Sequence, residues 1–93
     1  MRVFEWDEAK AKTNERKHGV SFEEARSVFF DDYATGKFDA AHSIRKDRFI
    51  IVGYSDRGRM LTVWHSYRDP FIRIIGARLA TAAEHRNYEK ANR

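Results

Sequence analysis

The chain of 93 residues has no cysteine and a single proline. Without thiols there is no disulfide framework, no thiolate metal site and no cysteine nucleophile. Its apolar runs stop at four or five residues, far short of the roughly 20 that cross a bilayer. No membrane association is expected. The opening MRVFEWDEAK meets a carboxylate at Glu5, which does not suit a signal peptide, so the cytoplasm is the expected compartment. The four histidines lack the H-x-x-x-H spacing of a metal site. There is no glycine-rich phosphate loop and no Ser–His–Asp order. Neither a metal nor an organic cofactor is therefore expected. A chain this short holds one core, so residues 1–93 read as a single domain.

What is present is aromatic and charged. Seven Phe, four Tyr and two Trp supply bulky core material, and hydrophobic residues reach 42%. That composition suits a globular domain and argues against disorder. The net charge is +4, unevenly spread. Residues 1–40 carry seven Lys and Arg against nine Asp and Glu; residues 41–93 carry eleven against five. Nine of the twelve Arg lie in the second part. Arginine is always charged and donates two hydrogen bonds from a rigid fork, which matches phosphate. The basic half therefore points to a polyanion or an acidic partner.

Residues 2–6 read as a short strand. Asp7 offers a helix cap, residues 7–18 are helix formers, and Gly19 fits a left-handed stop. This helix has few large apolar residues, so much of it should be wet. Ser21 and Glu24 have the spacing of a capping box, in which each satisfies the other's backbone donor. Phe22, Ala25, Val28 and Phe29 then recur at helical spacing, and Asp31-Asp32 ends the helix. Residues 34–40 suggest an edge strand. Residues 47–55, with FIIVGY, suggest a central one. Asp56-Arg57-Gly58 is a hairpin turn. Residues 59–68 alternate, with Leu61, Val63, His65 and Tyr67 opposed to Met60, Thr62, Trp64 and Ser66. Asp69-Pro70 is a second turn, residues 71–79 a further strand and residues 81–91 a closing helix. The fold class is α+β: a short N-terminal strand, two helices, a three- to four-stranded antiparallel meander and a C-terminal helix. The helices are expected on one face of the sheet.

Arg68, Arg73 and Arg78 are the main candidates for a site. Arg68 ends one strand, and the turn at Asp69-Pro70 brings it near Arg73. Arg73 and Arg78 are five apart, so a regular strand sends them to opposite faces; they cannot both serve one patch unless the strand bulges or one side chain sits at the end of the sheet. Solvated sheet residues and a phosphate site are the competing readings. His42, before the central strand, is a candidate proton donor or acceptor, or an ordinary surface residue. His65, between Leu61 and Val63 on one side and Tyr67 on the other, reads as a packed sheet histidine. Lys17 lies on the mixed-charge first helix. Trp6 and Trp64 could stack bases, although core packing accounts for Trp6 as well.

Four segments carry a family resemblance: FEWDEAKAKTNERKHGVSFEEARSVF at 4–29, HS at 42–43, GRMLTVWHSYR at 58–68 and RIIGARLATAAEHRNY at 73–88. In this order they cover most of the chain, and they resemble the BrnT family of type II toxins. The family commonly has a Glu a few residues after HS, where this chain has Lys46 and Asp47. The resemblance implies a fold similar to the RelE/ParE toxins, with two N-terminal helices on an antiparallel sheet. It implies a ribonuclease that cuts RNA without a metal and inhibits translation. It implies a BrnA-like ribbon-helix-helix antitoxin that neutralises the toxin in a hetero-oligomer and brings the pair to operator DNA. Arg68, Arg73, Arg78 and His42 are the catalytic candidates in that frame, and Lys17, Trp6 and Trp64 the RNA-binding ones. The competing readings are a non-catalytic module that binds antitoxin or nucleic acid, and a toxin of the same fold with a target other than RNA.

Overall fold

The computed structural model describes residues 3–42 and 47–93, apart from the side chain of His42. In chain order the elements are β1 (Val3–Glu5), α1 (Glu8–His18), α2 (Phe22–Ser27), β2 (Thr35–Phe38), β3 (Phe49–Tyr54), β4 (Met60–Arg68), β5 (Phe71–Leu79) and α3 (Ala82–Ala91). Short 3₁₀ turns occupy Val28–Phe30 and Ala40–His42. One five-stranded sheet has the order β1-β5-β4-β3-β2. β2 to β5 form the expected antiparallel meander. β1 returns to pair with β5 in parallel, so the sheet is mixed. β4, not β3, is the central strand. Among the described residues, no helix is long and apolar enough to cross a membrane.

Local chemistry explains the helices behind the sheet. The Asp7 side chain accepts from the Lys10 N–H, and Gly19 ends α1 at φ 68°. Only Ala11 of α1 is buried, so apolar packing holds this helix weakly. A polar clamp compensates. The Asn14 amide donates to the carbonyls of Val20 (3.0 Å) and Ala77 (2.9 Å) and accepts from the Ala77 N–H (3.1 Å). Phe22, Ala25 and Val28 pack with Leu61, Val63, Ile72, Ile74 and Ala77 into the main core.

The capping box of α2 is only half formed. Ser21 accepts from the Glu24 N–H at 3.1 Å. The Glu24 side chain turns inward instead, where Arg59 and Ser55 bind it. A fork of charged donors is a stronger partner for a buried carboxylate than one backbone N–H.

The helices do not share one face. α1 and α2 cover one side of the sheet, whereas Tyr88 of α3 packs on the other with Ile50, Val52 and Met60. The cause is that β3 is apolar on both sides: Ile51 joins the first cluster, Ile50 and Val52 the second. The two layers are tied by Asp31, which accepts from the Tyr33 N–H (2.9 Å), the Tyr54 N–H (2.8 Å) and the Tyr88 hydroxyl (2.8 Å). This crossing is tight. A Cβ on Gly53 would stand 2.9 Å from both the Ala34 Cβ and Asp31 Oδ2, so the position requires glycine.

His65 is a core residue, 3% exposed. Its ring meets those of Phe29 (4.8 Å), Tyr67 (5.3 Å) and Phe49 (6.1 Å). Burial pushes its pKa down to about 4, with the Val63 carbonyl opposing weakly. The unfolded chain therefore binds this proton more readily than the folded one. The contribution of the neutral ring is complete above pH 6.5 and is lost as pH falls toward 4. That difference corresponds to about 3 kcal/mol. Urea unfolding between pH 7 and pH 4.5 should show the loss, and a His65→Phe variant should flatten it. Equal slopes for the two proteins would show that His65 does not titrate in this window.

Candidate functional site

The face opposite α1 and α2 is only partly covered by α3, and it carries the arginines. Its geometry depends on one irregularity. Along β4 and β5, Trp64 pairs with Gly76 but His65 pairs with Ile74, so Ile75 is an extra residue without a partner. The bulge shifts the alternation of β5 by one. Arg73 then pairs with Ser66 and Arg78 with Thr62. Ser66 and Thr62 are four apart on a regular strand, so both arginines project to the same side. Their backbones lie about 13 Å apart along the sheet.

Two clusters result. In the first, Glu5 of β1 pairs in register with Arg73 of β5. Arg73 Nη1 donates to Glu5 Oε2 at 3.0 Å, and Arg68 Nη1 to the same oxygen at 3.3 Å. The hydrogen bond from Arg73, then that from Arg68, holds the Glu5 carboxyl below the usual carboxylate range against partial burial. Arg68 is well exposed, at 64% of its side chain, and Arg73 half-buried.

In the second cluster, Arg78 lies over the Trp64 ring, 4.9 Å from its centre. Stacking of a guanidinium on indole is favourable through the ring quadrupole. Arg78 also donates to Glu84 through Nη1 (2.8 Å) and Nη2 (3.1 Å). Glu84 further accepts from the Thr62 hydroxyl (2.7 Å) and the Thr81 N–H (2.8 Å), the latter as part of the capping box of α3. Burial pushes the Glu84 carboxyl up, but these hydrogen bonds outweigh it and bring it to about 2. The Trp64 indole N–H donates to Asp39 Oδ2 at 3.1 Å.

The sequence candidates are thus distributed as follows. Arg68 and Arg73 meet on Glu5, as the turn between them suggested. Arg78 shares their face but holds a different carboxylate. Trp64 sits between the two arginine clusters, partly exposed. Trp6 and Lys17 lie on the helix side of the sheet. The Trp6 ring packs edge-on to Phe22 at 6.1 Å and donates its N–H to Glu8 at 2.9 Å. Lys17 borders a shallow cleft with Thr13, Asn14, His18 and Ile75. The side chain of His42, and Ser43 to Lys46 after it, lie outside the described residues.

Sequence reasoning missed Glu5 and Glu84. A signal existed for each. Glu5 alternates with the core residues Phe4 and Trp6 and so had to face away from them. Thr81-x-x-Glu84 is a capping box, which fixes Glu84 at the start of α3.

A small α+β domain with arginines and a tryptophan on one open sheet face is the class these features define. Residues 6–84 match the family model described as the ribonuclease toxin, BrnT, of type II toxin–antitoxin systems. The chain belongs to this family. It is also similar to the crystal structure of the Brucella abortus ribonuclease toxin, BrnT, with a TM-score of 0.62. The match has 23% identity and covers 87% of this chain and 97% of that one. At that identity the likeness concerns the fold. A search of curated proteins returns no match.

Proposed function

We propose that this chain is an endoribonuclease that cuts RNA without a metal ion, blocks translation in the cytoplasm and is held in check by a BrnA-like ribbon-helix-helix antitoxin. The bulge at Ile75 carries the reading, because it sets Arg73 and Arg78 on the same face as Trp64. A strand of RNA lying along β5 would meet guanidinium groups at both ends and an indole between them. Arginines supply phosphate contacts and an aromatic ring supplies a surface on which a base stacks.

Metal-free cleavage proceeds by attack of the RNA's own 2′-OH on the adjacent phosphate. The negative charge that builds on the phosphate oxygens needs fixed cations in a preorganised array. Arg68, Arg73 and Arg78 are the groups proposed for that task, and His42 the group proposed to supply a proton to the leaving oxygen. Trp64, with Trp6 and Lys17 from the other side of the sheet, is proposed to hold the RNA.

Purified protein incubated with a long RNA and EDTA should produce fragments. Cleavage that disappears on chelation and returns with Mg²⁺ would refute the metal-free mechanism. Expression of the chain alone should arrest growth, and co-expression with its antitoxin should restore it.

A further inference from the structure

We infer that Glu5 is the general base of this reaction: its carboxylate takes the 2′-OH proton while Arg68 and Arg73 hold the phosphate that the 2′ oxygen attacks. This deepens the ribonuclease reading above and rests on it.

Of the carboxylates near the arginines, Glu5 has the geometry for the task. Both guanidinium groups converge on one of its oxygens, Oε2. Among the described residues, no hydrogen bond reaches the other oxygen, Oε1. Glu5 pairs with Arg73 across β1 and β5 and is partly open to solvent. The alternatives are engaged. Glu84 gives both oxygens to Arg78, and one of them also to Thr62 and the Thr81 N–H. Glu24 is buried behind the sheet and given to Arg59 and Ser55. Asp39 accepts from Trp64. A general base must stand within hydrogen-bond reach of its proton and beside the group being attacked. With Arg68 and Arg73 on Oε2, Glu5 would stand beside a phosphate held by those two arginines, with Oε1 left to receive the proton.

The arrangement also gives the base a resting state and a working state. At rest, Arg73 and Arg68 keep Glu5 ionised. When an RNA phosphate arrives, it competes for the same two guanidinium groups. The carboxylate loses its cations to the substrate and becomes more basic where the 2′-OH lies.

The step balances as follows. The 2′ O–H bond breaks and its proton passes to Glu5. The 2′ oxygen forms a bond to phosphorus as the bond from phosphorus to the 5′ oxygen breaks. The 5′ oxygen takes a proton from water. The proton on Glu5 then passes to the hydroxide so formed, which restores both the water and the carboxylate. The products are a 2′,3′-cyclic phosphate and a 5′-hydroxyl end, and no water is consumed.

The test uses the full chain with an RNA oligonucleotide in EDTA. Glu5→Gln keeps an oxygen that accepts from Arg68 and Arg73 but takes no proton. The expected result is a fall in kcat of about 10²–10⁴ with KM and melting temperature little changed. The acid limb of the wild-type pH profile should vanish in the variant. A Glu5→Gln protein that cuts at the wild-type rate overturns the assignment. So does one with raised KM and unchanged kcat, because Glu5 would then only hold the arginines. If the Gln variant melts early, Glu5→Asp keeps the charge and withdraws the oxygen; a base predicts reduced kcat with the acid limb retained, and unchanged kcat overturns it. Wild-type protein that leaves RNA intact would defeat the ribonuclease reading itself. Wild-type cleavage with an unaffected variant defeats only the role of Glu5.

Discussion

Replacing Arg59 with alanine should make the protein markedly less stable, because it strands the Glu24 carboxylate. That side chain is only 3% exposed. Arg59 grips it with a fork: Nε donates to Oε2 at 3.0 Å and Nη2 to Oε1, while the Ser55 hydroxyl donates to Oε2 at 2.7 Å. Arg59 also reaches the Gly19 carbonyl at 3.1 Å, joining the end of α1 to the start of β4. The hydrogen bond from Arg59 is the main reason the Glu24 carboxyl lies below its usual range despite burial. Removing one partner of a buried pair leaves an uncompensated charge, which costs about 3–5 kcal/mol. The lower end applies here, since Arg57 stays within 3.9 Å of Glu24 and the Arg59 side chain, 35% exposed, would leave a gap open to water. For a domain of this size, about 3 kcal/mol lowers Tm by roughly 12–24 °C. Thermal unfolding at pH 7 measures it. Adding Glu24→Gln to the variant should recover part of the loss by removing the stranded charge. An unchanged Tm in the single variant would mean that solvent already neutralises Glu24.

Arg78→Ala should abolish growth arrest and slow RNA cleavage by about 10²–10³, the loss typical of one transition-state donor. The same change removes the bidentate partner of Glu84 and the cation over Trp64. Some stability goes with it, so a melting curve must accompany the activity. Arg78→Lys separates the effects, because it keeps the charge but not the fork. It should stay folded and recover only a small part of the rate. Arg73→Ala and Arg68→Ala act on the other cluster and should lower activity without disturbing Glu84. If all three alanine variants fold and remain fully toxic, this sheet face is not where RNA is cut.

Much of the architecture was readable because it is written in local chemistry. Asp7, Gly19, Ser21 and Gly58 mark boundaries through caps and positive φ, and the structure uses each of them. The alternation in β4 and the double-sided apolar character of β3 also carried over. The position of α3 was not readable, although its cause, the second apolar side of β3, lies in the same six residues. The side chain of Glu24 was misassigned because its partner, Arg59, is 35 residues away. Spacing rules reach across one helical turn, not across a tertiary contact. The arginines show the same limit. Proximity of Arg68 to Arg73 follows from a turn, whereas the shared face of Arg73 and Arg78 depends on a bulge that no single residue announces.

That bulge makes β5 a counter of odd and even. In an uninterrupted strand, an interval of five would throw one of the two guanidinium groups into the oily layer with Ile72, Ala77 and the Asn14 clamp. Inserting Ile75 changes the count, so the separation in sequence is odd and the separation in space is even. A chain shortened by that one residue would still present both arginines on the open side, four apart. Length variation at this point of the strand is therefore compatible with a fixed pair of cations, and a comparison of related chains by residue spacing alone would misjudge which arginines correspond.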